Sequence, residues 1–319
     1  MKKKQRRIGL VLGGGGARGW AHIGVIHAIR EAGLDVACVV GTSMGALVGA
    51  AFASGRLDDL QAVAQDLDWR QVLALMSDIS LSRTGLIDGK HIVDFVQDHV
   101  MPGNIEDLPL PYAAIATDIR TGDEVVLRRG SIAAAVRASI AIPGLFTPLC
   151  LESRVLVDGG LVNPLPVNVA REMEVDFIIA VDITRSPLPS RQSDPRTQSS
   201  RRVQILEGTQ RFLEKLHLNV PQLDGDALPA IFRPENGTDQ PSLVEIYGNM
   251  MRIFQRQITI MHLALHPPDL LIQPDVQDIS TMEFHRATDA IRAGHEAATQ
   301  ALRRIDDKGR VRQETPEAG

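Results

Sequence analysis

Cysteine is scarce in this 319-residue chain: only Cys38 and Cys150 occur, each inside or beside an apolar stretch. Two thiols so placed exclude a disulfide framework and a zinc cluster, and they fit reduced core thiols in a cytoplasmic, reducing compartment. The chain also lacks any apolar segment near the roughly 18 residues a membrane span requires, so a soluble protein is expected, one still able to touch a membrane surface. A basic surplus is missing as well. The net charge is -5, which argues against a nucleic-acid partner. Lys2, Lys3, Lys4, Arg6 and Arg7 precede an apolar run in the manner of a leader. That run, Ile8 to Leu12, ends at four glycines, short of the roughly 7 residues of a signal core. It reads as a first strand behind a basic extension over residues 1–7. Solenoid repeats are absent, and 44% hydrophobic residues exclude wholesale disorder.

What is present is an alternation of short β-branched runs with helical patterns, the mark of βαβ units in a largely parallel sheet. Ile8 to Leu12, Val36 to Val40, Tyr112 to Asp118, Glu124 to Leu127, Val155 to Val157, Phe177 to Asp182 and Asp269 to Ile272 read as strands. Helices are expected over Trp20 to Ala32, Met44 to Ala53, Leu57 to Leu67, Trp69 to Met76, Lys90 to Val100, Ser131 to Ser139, Val203 to Leu218, Ser242 to Leu265 and Thr281 to Arg303. Proline, serine and arginine replace the apolar period from Thr184 to Arg202, which reads as a mobile loop. One main domain over 8–303 is expected, with a polar tail at 304–319.

Three features fall at predicted C-terminal strand ends, where ligands bind open α/β sheets. Gly41-Thr42-Ser43-Met44-Gly45 lies between a strand and a helix, as in a nucleophile elbow: Ser43 is the candidate nucleophile, and Gly41 and Gly45 allow the tight turn. The plainer reading is a βα turn with an N-capping serine. The run Gly13 to Gly16, followed by Ala17, Arg18 and Gly19, offers converging N–H groups for a phosphate or an oxyanion. Gly14-x-Gly16-x-x-Gly19 also satisfies a dinucleotide fingerprint, but Gly41-Thr42-Ser43 stands where the ribose-binding acid belongs, and Asp35 is at the wrong end of the strand.

A serine nucleophile needs a base. Nine histidines are scattered without a motif. Asp158, in Val157-Asp158-Gly159-Gly160, ends a strand beside glycines that permit close backbone approach. Burial would raise its proton affinity enough for base catalysis. Asp88-Gly89 and Asp224-Gly225 read as ordinary turns, and Asp118 and Asp182 as supporting carboxylates.

These residues resemble the patatin-like phospholipases, in particular the bacterial group similar to the catalytic domain of neuropathy target esterase. The glycine loop, the serine elbow and Asp158-Gly159-Gly160 stand in the family's order. Ala21 to Val25, Arg137 to Pro143 and Asn163-Pro164-Leu165-Pro166 support the match. The resemblance implies a three-layer α/β/α fold with a mostly parallel sheet and a Ser-Asp dyad of Ser43 and Asp158. Gly14, Gly15 and Gly16 would form the oxyanion hole, with Arg18, Gly41, Gly45, Gly159 and Gly160 in support. It also implies no metal and no cofactor. The expected activity is that of a phospholipase, lysophospholipase or esterase acting on fatty acyl esters, with peripheral contact at the inner face of a membrane. Arg18 would order the loop or meet a phosphate, or serve only as a surface cation. Residues 184–268, rich in methionine, would form a lid, or simply core. Two alternatives stay open: a conventional hydrolase with a Ser-Asp-His triad using His285 or His295, and a non-catalytic nucleotide-binding protein.

Overall fold

Ile8–Leu12 (β1) is buried at all five positions, as a strand covered on both faces must be. Its side chains alternate between two cores: Ile8, Leu10 and Leu12 join one, Val11 the other. The computed structural model describes residues 6–67, 79–82, 85–87, 103–184 and 243–304. The chain divides into two compact units, 1–185 with 254–319 and 186–253. The first unit carries the sheet.

The other strands are Val36–Thr42 (β2), Ile79–Ser82 (β3), Gly85–Ile87 (β4), Tyr112–Asp118 (β5), Glu124–Leu127 (β6), Leu149–Leu151 (β7), Arg154–Asp158 (β8), Phe177–Val181 (β9) and Leu270–Ile272 (β10). β3 and β4 form a separate antiparallel pair. The eight remaining strands make one sheet in the order β10-β9-β1-β2-β5-β8-β7, with β6 also on β5. From β10 to β5 every pairing is parallel. β6, β8 and β7 are antiparallel.

The helices are Ala21–Glu31 (α1), Met44–Ala53 (α2), Leu57–Asp66 (α3), Ile132–Ser139 (α4), Val167–Arg171 (α5), Leu243–Leu265 (α6) and Ala287–Leu302 (α7). α1, α2, α3, α4 and α7 pack on the first face of the sheet. α5 and Leu263 of α6 cover the second. The result is three layers, α/β/α. Each layer follows from its pattern: Ile23, Ile26 and Ile29 recur at helical spacing on α1, and the Ser131 hydroxyl caps α4 by accepting the Ala134 N–H.

Several elements depart from the sequence reading. A 3-10 turn, Gly16–Trp20, precedes α1. α7 begins at Ala287, after a 3-10 turn at Phe284–Arg286, rather than at Thr281. The Thr281 carbonyl is instead spent on the N–H of Ala17. The short β7 and α5 were not expected, being too brief to show a period. Cys150 is exposed on β7 rather than in the core; Cys38 is buried. β7 is an edge strand, with β8 as its partner, so its alternate side chains face solvent. The helices expected at Trp69 to Met76, Lys90 to Val100 and Val203 to Leu218, the loop beyond Thr184, and the Asp88 and Asp224 turns lie outside the described residues.

The register of β5 decides where the site forms. Thr42 of β2 pairs with Ile115, and Asp158 of β8 pairs with Ala116, the next residue. β6 pairs along Ala114 to Thr117 and so occupies the opposite edge. A residue has one neighbour per edge, so β2 and β8, running in opposite directions, meet end to end along a single edge of β5. Ser43 follows one strand end and Asp158 is the other.

Candidate active site

Ser43 adopts φ 54° and ψ -121°, a left-handed conformation that a side chain with a Cβ rarely takes. The turn is forced by close packing. A Cβ on Gly45 would collide with the main chain at Leu12, and one on Gly41 with the main chain at Gly45. Two hydroxyls hold the elbow from behind. The Ser43 N–H donates to Ser139 Oγ at 2.8 Å, and that hydroxyl donates to the Ile115 carbonyl at 2.6 Å. Thr42 Oγ1 donates to the Asn163 carbonyl at 2.9 Å. α2 begins at Met44, so the positive end of its dipole lies beside the serine. Capping is excluded as the role of Ser43, because its side chain makes no cap bond.

The Ser43 hydroxyl instead donates to Asp158 Oδ2 at 2.7 Å. Both residues are buried. The other carboxylate oxygen, Oδ1, accepts the Gly160 N–H at 2.7 Å. The Asp158 N–H is held by Ala141 O and its carbonyl by Thr117 Oγ1, each at 2.9 Å. Burial pushes the Asp158 carboxyl up to about 6, against the opposing pull of the Gly160 and Ser43 hydrogen bonds. A carboxylate titrating near neutrality is a competent proton acceptor. Gly159 packs against the Ile115 carbonyl with no room for a side chain, and Gly160 faces the Gln255 amide of α6.

The glycine loop lies against the same serine: a Cβ on Gly14 would sit 3.4 Å from that of Ser43. Its three candidate amides are not equivalent. The Gly14 N–H is committed to the Pro164 carbonyl at 3.0 Å. Among the described residues, the N–H groups of Gly15 and Gly16 have no protein acceptor. Arg18 is no surface cation. It is buried, and its Nε donates to the Ile279 carbonyl at 2.7 Å. Together with the Ala17 bond to Thr281, it ties the loop to the segment before α7.

The remaining candidates are placed elsewhere. His295 pairs with Glu31 at 2.8 Å on the surface, and His285 sits on the exposed 3-10 turn ahead of α7. The Ser43 hydroxyl is bonded to the Asp158 carboxylate and to neither of these histidines. Asp118 caps the β5–β6 turn through the Arg120 N–H. Asp182 binds Thr184 and Gln273. Sequence reasoning assigned no role to Ser139, Thr42, Asn163 or Gln255. The stretches Arg137 to Pro143 and Asn163 to Pro166 were the only signals for the first and third.

An α/β/α sheet with a strained serine at the strand-to-helix turn and an acid on the adjoining strand end defines a class of α/β hydrolytic fold. The chain belongs to the patatin-like phospholipase family, whose model matches residues 10–171. It is 36% identical to an "Uncharacterized NTE family protein" of Mycobacterium tuberculosis, over 94% of this chain and 93% of that one. It is 38% identical to "Neuropathy target esterase sws" of Drosophila melanogaster over 55% of this chain and 13% of the fly protein. "Patatin-like phospholipase domain-containing protein 7" of Rattus norvegicus matches at 38% over similar shares. Among solved structures, VipD from Legionella pneumophila covers 94% of this chain and 67% of its own, with a TM-score of 0.39 at 13% identity, too distant to carry an argument. The family is one of lipid hydrolases.

Proposed function

We propose that this chain is a serine acyl hydrolase that cleaves fatty acyl esters of phospholipids, lysophospholipids or related lipids through Ser43 and Asp158. The observation that carries the reading is the buried 2.7 Å hydrogen bond from Ser43 Oγ to Asp158 Oδ2. As Oγ attacks the acyl carbonyl, its proton passes to Asp158. The carbonyl oxygen gains charge and is held by the N–H groups of Gly15 and Gly16. Collapse breaks the ester bond, and Asp158 returns the proton to the leaving alcohol, leaving an acyl-serine. Water then attacks, giving up a proton to Asp158, and the fatty acid departs as Ser43 regains its hydrogen.

Substrate would be drawn from the inner face of a membrane, with the protein in the cytoplasm. No helix among the described residues is long and apolar enough to cross a bilayer. The test is hydrolysis of a lipid panel by purified protein beside Ser43→Ala, with fluorophosphonate labelling of Ser43. Labelling and turnover that both vanish in the variant support the reading; turnover that survives in Ser43→Ala overturns it.

A further inference from the structure

The glycine loop faces a mechanical problem. Glycine has the widest backbone freedom of any residue, yet an oxyanion hole works only if its donors are fixed before the charge appears. Rigidity must therefore come from outside the loop. The peptide joining Gly13 to Gly14 is held at both polar ends: the Gly14 N–H donates to Pro164 O at 3.0 Å, and the Gly13 carbonyl lies 2.8 Å from His22 Nε2. The Gly13 N–H is held as well, by Val181 O at 3.1 Å.

We propose that His22 is a positioning residue for the oxyanion loop, whose imidazole locks the Gly13–Gly14 peptide plane and so fixes the amides of Gly15 and Gly16 that follow it. The inference rests on reading those amides as the oxyanion donors. A carbonyl has no proton to give, so Nε2 carries it and donates. The ring is fully buried in the first turn of α1, and among the described residues its Nδ1 meets no partner. Burial also drives the imidazole down to about 4, against the pull of Gly13 and Asp182. The ring is thus neutral, with one nitrogen at work and one bare. A bare buried nitrogen is a cost, and leucine at this position would avoid it. What the imidazole supplies in return is the bond to Gly13. Without that bond the peptide is held at its N–H end alone, by Pro164, and its plane tilts more easily at the base of the loop. His22 does not touch Ser43 or Asp158 through any hydrogen bond, so it acts through the loop alone.

The experiment compares His22→Leu, His22→Gln and His22→Asn with the unaltered protein, using a p-nitrophenyl acyl ester for kcat and KM and a fluorophosphonate for the rate of Ser43 acylation. Glutamine places an amide donor near the position of Nε2; asparagine falls one carbon short. Misplaced donors cost about 10²-fold in rate, so His22→Leu should lose about that much in kcat and in acylation rate at unchanged KM. His22→Gln should recover at least a tenfold share of the loss, and His22→Asn should not. Folded His22→Leu protein with unaltered kcat overturns the proposal. So do equal rates for the glutamine and asparagine variants, and that comparison decides the matter if His22→Leu does not fold. Ser43→Ala runs alongside: activity there sinks the dyad itself, an outcome distinct from failure of the His22 series.

Discussion

Ser43 and Asp158 share one hydrogen bond, but the two sides of it are made ready by different means. On the serine side the preparation is in the backbone. Ser43 sits at φ 54° between two glycines that have no space for a Cβ. On the aspartate side the backbone is ordinary, φ -49° and ψ 131°, and the preparation is environmental: burial lifts the carboxyl toward neutrality. The lesson is that a nucleophile needs direction and a base needs proton affinity. Close packing supplies the first and desolvation the second.

That contrast breaks most visibly in the chemistry. Ser43→Ala and Asp158→Asn are each expected to lower kcat by at least about 10⁴-fold, as in other hydrolases whose catalytic residues act as a unit. Their stabilities should diverge. The native Asp158 carboxyl titrates at about 6 and the unfolded one near about 4, so between those values the native state holds more protons. Stability therefore falls as pH rises through that window and stays lowered above it, by about 3 kcal/mol for the full shift. Asp158→Asn removes that cost, and thermal or urea unfolding at pH 7 should find it more stable than the unaltered chain. Ser43→Ala keeps the cost.

On the backbone side, Gly45→Ala forces a methyl group into the Leu12 main chain. A loss of about 2–3 kcal/mol is expected, with melting lowered by roughly 5–10 °C along with activity. The pH profile sharpens the environmental side: kcat/KM should climb with pH and level off above about 6, the range set by Asp158. A profile governed by an ordinary carboxylate near 4 would break the comparison. Ser139→Ala is a smaller probe. It strips the Ser43 N–H and the Ile115 carbonyl of their shared partner, for about 1–3 kcal/mol and about tenfold in kcat. His285→Ala and His295→Ala should leave activity intact.

The parts of the fold that were legible in the sequence are those with a local cause. β1, α2, β5 and β6 fall on the expected residues because a β-branched run, or an apolar helix behind an elbow, is specified within ten residues. β7 and α5 were hidden by brevity, and the late start of α7 by a carbonyl that Ala17 claims from far away in the chain. The candidate site divides the same way. Ser43 carries a local signature, whereas Asp158 resembled Asp88 and Asp224 in its dipeptide and was set apart in the sequence by the Val155 to Val157 run before it, although a strand, β4, also ends directly ahead of Asp88. Arg18 read equally well as a surface cation, since nothing near it announces Ile279 as its partner.

From its residues alone this chain was committed to a layered α/β architecture, a sharp serine turn and a flexible glycine run, because periodicity and missing side chains act over a few positions. Tertiary structure decided that Thr42 and Asp158 take consecutive places beside β5, that Gly14 spends its amide on Pro164 while Gly15 and Gly16 do not, and that one carboxyl is dry enough to hold a proton near neutrality. Register, hydrogen-bond partners and burial are properties of segments brought together from more than a hundred residues apart, and no local pattern encodes them.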